Sequence, residues 1–424
     1  MNQVTSVNGY MVLDSRGYPT VACELCLDNA FKGLAYVPSG ASTGQYEALE
    51  LRDGDPTKYS GKGVDGPINL INRKLNELLC GKRFDSQVNF DQYLKSIDGS
   101  EGYRSLGANT VLSLSLAFSR AIATKNKLPL YQSICDNQTL TLPVPMLNVI
   151  NGGAHANNNL DIQEFMVVPH GFEMFSDAIR AGCEIYHHLK NYLSSHNYTT
   201  AVGDEGGFAP NVLSANQVLE ILSDMITKAG YKLGKEISFA LDVAASEFYN
   251  DGQYTYDQNK CNPSELINIW SSLAKSFPII SIEDPLADDD LNGWQQMTKQ
   301  LGDKLLIVGD DLLVTSYDKL KTGIEHHWMN SILIKLNQVG TLSQTLQAID
   351  LAKASNQSFI ISHRSGETED DYIADLAIAT HAPFIKTGAP CRSERLAKYN
   401  RLLTVENQTK AKLFQLDSKI VTHG

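Results

Sequence analysis

No run in the 424 residues approaches the roughly 18 consecutive apolar positions that a membrane helix needs, so no membrane partner is expected. Basic charge is also short: 36 Lys and Arg stand against 48 Asp and Glu, a formal net charge of −12. An acidic surface repels phosphate backbones, which excludes nucleic acid as a first-choice partner. The seven cysteines (Cys23, Cys26, Cys80, Cys135, Cys183, Cys261, Cys391) are odd in number and scattered. The single C-x-x-C, Cys23 to Cys26, lies in a strand-like stretch where residues three apart face opposite ways. With no second pair, zinc and redox roles are disfavoured and reduced structural thiols are expected. Met1 to Gly17 lacks the basic start and apolar centre of a secretory leader, so a cytoplasmic protein is the expectation.

What is present is ordinary globular composition, 42% hydrophobic and 20% charged. Length suggests two or three domains, although one βα barrel can absorb about 250 residues. The first 30 or so residues alternate like strands, with a turn at Ser15-Arg16-Gly17 and a Gly/Ser loop at Ser39 to Gly44. Helical spacing follows over Pro67–Leu79 and Leu106–Ala123, and the Pro-rich stretch Leu142 to Pro145 marks a boundary. The reading is an α+β domain over 1–135 and a second domain over 143–424.

In that second part six apolar runs each end in an ionisable residue: Asp242, Glu283, Asp310, Lys335, His363 and Lys386. Their separations, by subtraction, are 41, 27, 25, 28 and 23 residues, about the length of a strand, a crossover helix and two loops. Continuous apolar strands alternating with helices indicate a parallel sheet. An open doubly wound sheet is the common alternative, but the regular repeat favours a closed α/β barrel, in which catalytic groups sit at the C-terminal strand ends.

Asp242, Glu283 and Asp310 fall at successive strand ends, and three converging carboxylates repel one another. One such acid is more often a solvated strand end, but three in register favour a divalent cation, and oxygen-only ligands point to magnesium. Lys335 enters the same region, where burial and neighbouring cations are expected to lower its pKa and free an amine as base. Lys386 invites the same comparison with an ordinary salt-bridge lysine. Arg364 and Ser365 can hold a phosphate or carboxylate, and the segment Ser365 to Asp370 reads equally as a helix start. Two polar, glycine-rich stretches, Asn151 to Asn159 with Gln163-Glu164, and Gly203 to Pro210, read as ligand loops or as plain connectors. Gly61-Lys62-Gly63-Val64-Asp65-Gly66 fits G-x-G-x-x-G, but no apolar strand precedes it, so a loop leading into a helix is expected. Asp288-Asp289-Asp290 is read as solvated.

At these motifs the sequence resembles the enolase family. The matches include Leu13-Asp14-Ser15-Arg16-Gly17, Val37 to Gly44, Leu106 to Asn109, Asp161 to Met166, Gly203 to Pro210, Ser281 to Asp284, Gly309 to Leu312, Ser362 to Asp370 and Ile385 to Gly388. The resemblance implies an N-terminal α+β cap, a modified TIM-like barrel, and magnesium-dependent dehydration of 2-phosphoglycerate to phosphoenolpyruvate. It implies that Asp242, Glu283 and Asp310 bind one magnesium and that Ser42 helps hold a second, which arrives with substrate. It further implies Lys335 as base at C2 and Glu205 as acid at the C3 hydroxyl, with Glu164 and His155 assisting. Gln163, His363, Arg364, Ser365 and Lys386 would surround the substrate, and a homo-oligomer, dimer or octamer, is implied. The sequence departs from the usual pattern at Tyr18, Leu34, Asn157 and Leu313, none of which is a matched catalytic or metal position. Two other readings stand beside this one: a paralog acting on a phosphonate-type analogue, and an inactive binding protein on the same fold, which would have lost Lys335, Glu205 or a metal carboxylate.

Overall fold

The computed structural model describes residues 2–40, 46–135, 140–212, 214–417 and 420. Its N-terminal part is built on a four-stranded sheet, in the order Phe31–Tyr36, Pro19–Leu27, Asn2–Leu13, Arg83–Phe84. The first hairpin turns where expected. The Asp14 carboxylate accepts from the Arg16 and Tyr18 amides, each at 2.9 Å, and Gly17 takes φ +78°. The helix Ala108–Asn126 lies on one face of the sheet. Its approach requires Gly33, because a Cβ there would stand 2.0 Å from the Ala117 carbonyl oxygen. Phe90 and Phe118 stack at 4.1 Å behind it, in a core sealed by Leu94, Val111 and Leu114. Cys23 and Cys26 are both buried here as free thiols.

The helix expected over Pro67–Leu79 runs from Asp65 to Leu79 with a widened π turn at Ile71–Leu75. Asn72 faces the first strand there, accepting from the Gly9 amide at 2.6 Å and donating to its carbonyl at 2.8 Å. The G-x-G-x-x-G segment is structural. The Asp53 carboxylate accepts from the amides of Asp65 (2.8 Å) and Gly66 (2.7 Å), filling the anion-seeking start of this helix from within the chain.

The remainder is a closed eight-stranded barrel: Val144–Asn151, Glu164–Pro169, Ile237–Asp242, Ile279–Glu283, Leu306–Gly309, Ser331–Ile334, Ser358–Ser362 and Phe384–Lys386, paired in chain order around the ring. The six runs picked out in the sequence are its last six strands, all parallel. The second strand is antiparallel to both neighbours, so the purely parallel sheet read from the apolar runs is corrected at this one strand. Two helices in succession, Phe175–Ser195 and Ala215–Lys228, then lead to the third strand. The long 41-residue interval is explained by a small three-stranded sheet, between Tyr249 and Cys261, inserted before the next helix. Asp290 is not merely solvated: it caps the helix Leu291–Leu301 through the Gly293 amide (3.0 Å) and accepts from Tyr254 Oη at 2.8 Å. No helix among the described residues is long and apolar enough to cross a membrane.

The N-terminal part caps the barrel mouth. Ser39 and Gly366 exchange backbone hydrogen bonds at 2.7 and 2.9 Å, and the Arg120 guanidinium grips Asp370 at 2.6 and 2.8 Å.

Candidate active site

Reversal of the second strand brings its first residue to the mouth. Parallel strands deliver their last residues there, and Glu164 pairs in register with Asp242 of the third strand and Asn151 of the first. Glu164 therefore stands beside Asp242, Glu283, Asp310, Lys335, His363 and Lys386 although it starts its strand. Of the thirteen predicted site residues, eleven line one cavity at this mouth: His155, Gln163, Glu164, Glu205, Asp242, Asp310, Lys335, His363, Arg364, Ser365 and Lys386. Glu283 is buried beside it, with its Oε2 2.8 Å from Lys386 Nζ. Ser42 lies outside the described residues.

Eight carboxyl groups line the cavity against three basic side chains, Lys335, Arg364 and Lys386. Lys386 Nζ lies 2.8 Å from Asp242 Oδ2, 2.8 Å from Glu283 Oε2 and 3.2 Å from Glu164 Oε2. Lys335 Nζ is paired with Asp310 Oδ2. Burial pushes the Glu283 carboxyl well above the usual range, with Asp242 adding to the effect and Lys386 opposing it. Burial would lower the Lys335 amine, yet Asp310 outweighs it and the pKa is raised. The expected neutral amine is thus corrected for this state: pairing with a buried carboxylate defeats desolvation.

Glu164 and Glu205 form a second charge pair. Burial and then the Glu205 charge raise Glu164 well above the carboxylate range. Burial also opposes ionisation of Glu205, but His363, His155 and Arg395 overcome it and hold that carboxyl well below. Asn148 Nδ2 donates to Glu205 Oε2 at 3.0 Å, and His363 Nε2 is 3.4 Å from the same oxygen. His155 Nδ1 stands 3.5 Å from Glu164 Oε1 and 3.8 Å from Glu205 Oε1, within reach of both. Burial lowers the His363 pKa to about 4, so its ring is neutral near pH 7. The Glu205 loop is fixed by a Gly206 at φ +86° and by the Ala389 amide, which donates to the Glu205 carbonyl at 2.9 Å.

Among the described residues, two sets of ligand atoms lie within 4.8 Å of one another: Asp284, Asp310 and Asp311, and His155, Glu164 and Glu205. The triad Asp242, Glu283 and Asp310 shares the cavity region but is held by lysines, one between the first two acids and one on the third. An all-oxygen donor set on neighbouring strand ends, buried and carrying excess negative charge, fits a hard divalent cation. Several contributors escaped the sequence reading. Asp284 accepts from the Asp310 and Asp311 amides at 2.9 and 3.0 Å and so aims Asp310. Glu47 grips Arg364 with two hydrogen bonds, at 2.9 and 3.1 Å, and Gln338 Nε2 donates to Asp310 at 2.9 Å. Only Asp284 and Asp311 carried a signal, as acids directly following a strand-end acid.

Comparison with protein-family models gives two adjoining matches. The enolase N-terminal domain matches residues 4–134, and the enolase C-terminal TIM barrel domain matches residues 139–419.

Proposed function

Since the chain belongs to the enolase family, we propose that it is a magnesium-dependent lyase that dehydrates 2-phospho-D-glycerate to phosphoenolpyruvate. The observation that carries this reading is that a half-buried lysine, Lys335, and a buried carboxyl pair, Glu164 and Glu205, line one cavity from different elements of an acid-rich barrel mouth. A hydrogen beside a carboxylate is a poor acid, because its loss adds charge to an anion, and hydroxide is a poor leaving group. The reaction therefore needs a base and an acid held apart. Lys335 takes the proton from C2. Glu205 protonates the departing C3 hydroxyl, and the proton held on Glu164 in the free site reaches it by way of His155, whose Nδ1 lies between the two carboxyls at 3.5 and 3.8 Å.

Asp242, Glu283 and Asp310 would hold one magnesium and Ser42 would contribute to a second. The chemistry these ions supply is stabilisation of the charge that builds on the substrate carboxylate and neutralisation of Asp310, an arrangement for which the enolase superfamily is itself the standard example. Asp310 and, more weakly, Glu283 hold the Lys335 proton; were both neutralised at that site, burial and the charges of Arg364 and Lys386 would favour the neutral amine. Arg364 and Ser365 take the phosphate, with Gln163, His363 and Lys386 around the remaining oxygens.

Purified protein with magnesium and 2-phosphoglycerate should produce phosphoenolpyruvate, followed by its ultraviolet absorbance, and a chelator should stop it. Folded, magnesium-loaded protein that leaves 2-phosphoglycerate unchanged would overturn the proposal.

A further inference from the structure

Arg395 belongs to the helix Ser393–Thr409 outside the barrel wall, yet its side chain is fully buried and reaches back to the site. Its Nη1 donates to the Arg364 carbonyl at 2.7 Å and stands 2.6 Å from His363 Nδ1. Its Nη2 donates to the carbonyls of Ser365 (2.7 Å) and Asp204 (3.0 Å). Space for this side chain is provided at Gly388, where a Cβ would come within 2.9 Å of Arg395 Cδ.

A guanidinium carries five N–H donors, no acceptor, and does not lose its proton in proteins. Its contact with His363 therefore has one direction, and Nδ1 must accept. The ring proton is left on Nε2, which faces Glu205 Oε2 at 3.4 Å. We infer that Arg395 is a positioning residue that fixes His363 as the Nε2–H tautomer, so that the ring presents a donor to Glu205. The same fork ties the loop carrying His363 to Ser365 to the loop carrying Asp204 and Glu205. With the wrong tautomer, His363 would offer Glu205 a lone pair in place of a hydrogen.

The consequence for turnover rests on the dehydratase reading, but the tautomer does not. In full-length protein with 15N-labelled histidine, the His363 ring signals are identified by their loss in His363→Gln. At pH 7 the wild type should show the Nε2–H form. Arg395→Met should shift it toward Nδ1–H, and Arg395→Lys, which keeps a donor, should restore part of the original form. The kcat for 2-phosphoglycerate should fall about ten- to a hundredfold in Arg395→Met with little change in KM, the range seen when the partner that fixes a histidine tautomer at a metal site is removed. Wild-type His363 found as Nδ1–H or as imidazolium would overturn the inference, and that measurement stands whether or not the variants fold. A folded Arg395→Met with the wild-type tautomer would overturn it equally. Because the tautomer is read without turnover, failure of the dehydratase reading is separable from failure of this one.

Discussion

Replacing Lys386 by methionine keeps the unbranched stem and removes the charge at its tip, which faces three acids. Its Nζ stands 2.8 Å from Asp242, 2.8 Å from Glu283 and 3.2 Å from Glu164, and all four side chains are buried. Burial would lower the Lys386 amine, but Asp242, Glu164 and Glu283 raise it well above the ordinary lysine value, so the network is strongly coupled through this cation. Removing one partner of a buried ion network costs about 3–5 kcal/mol, because the remaining charges stay desolvated and unpaired. With an unfolding entropy of about 2.1 cal/mol/K per residue, a chain of 424 residues loses about 1 °C per kcal/mol, so Lys386→Met should melt about 3–5 °C below wild type in chelator. Magnesium binding to the freed carboxylates should offset much of that loss by mass action, so millimolar magnesium should raise the melting temperature of the variant more than that of wild type. Calorimetric melts of both proteins, with chelator and with magnesium, decide the matter. A variant that melts with wild type in chelator, or gains no more from magnesium than wild type does, would refute the charge accounting at this site.

Three further outcomes follow from individual contacts. His170 is buried against Ser238, with Nε2 2.9 Å from Oγ, and burial lowers its pKa to about 4. The unfolded chain takes up the proton first, so stability is present above pH 6.5 and lost as pH falls toward 4; about 2 kcal/mol should be gone by pH 5, and His170→Gln should flatten that slope in urea titrations. Arg120→Met leaves the Asp370 carboxylate in a half-buried seam between cap and barrel with only the Tyr36 and Tyr372 amides as donors among the described residues, and should cost about 1.5–3 kcal/mol by denaturant unfolding. Glu47→Gln removes a charge from the two-bonded contact with Arg364 and should tighten inorganic phosphate binding, read by calorimetry with the phosphate ion alone.

The barrel was legible because its last six strands are continuous apolar runs that end in ionisable groups, and such runs are unusual outside a sheet covered on both faces. The reversal of the second strand was not legible. Phe165 to Val168 are apolar and buried, and a run buried on both faces carries no mark of its direction. Twelve of the thirteen site residues gather at the mouth because the strand-end rule places six of them and the glycine-flanked loops place most of the rest. What the sequence could not show is which charge pairs with which. Lys335 reads as a lowered amine only if cations and burial dominate; its pairing with Asp310 depends on how far two strand ends converge, a tertiary distance. Arg395 left no signal at all, since it reaches His363 from a helix outside the barrel across 32 positions of sequence.

The central claim is that Lys335 removes the C2 proton while Glu205 acts on the far hydroxyl. The direct test is exchange of the C2 hydrogen of 2-phosphoglycerate in deuterium oxide, followed by proton NMR with magnesium present. Wild type should exchange it. Lys335→Ala should lose exchange by about 10²- to 10⁴-fold, the range for a positioned base. Glu205→Gln should keep exchange while forming no phosphoenolpyruvate. Exchange at the wild-type rate in Lys335→Ala would contradict the account.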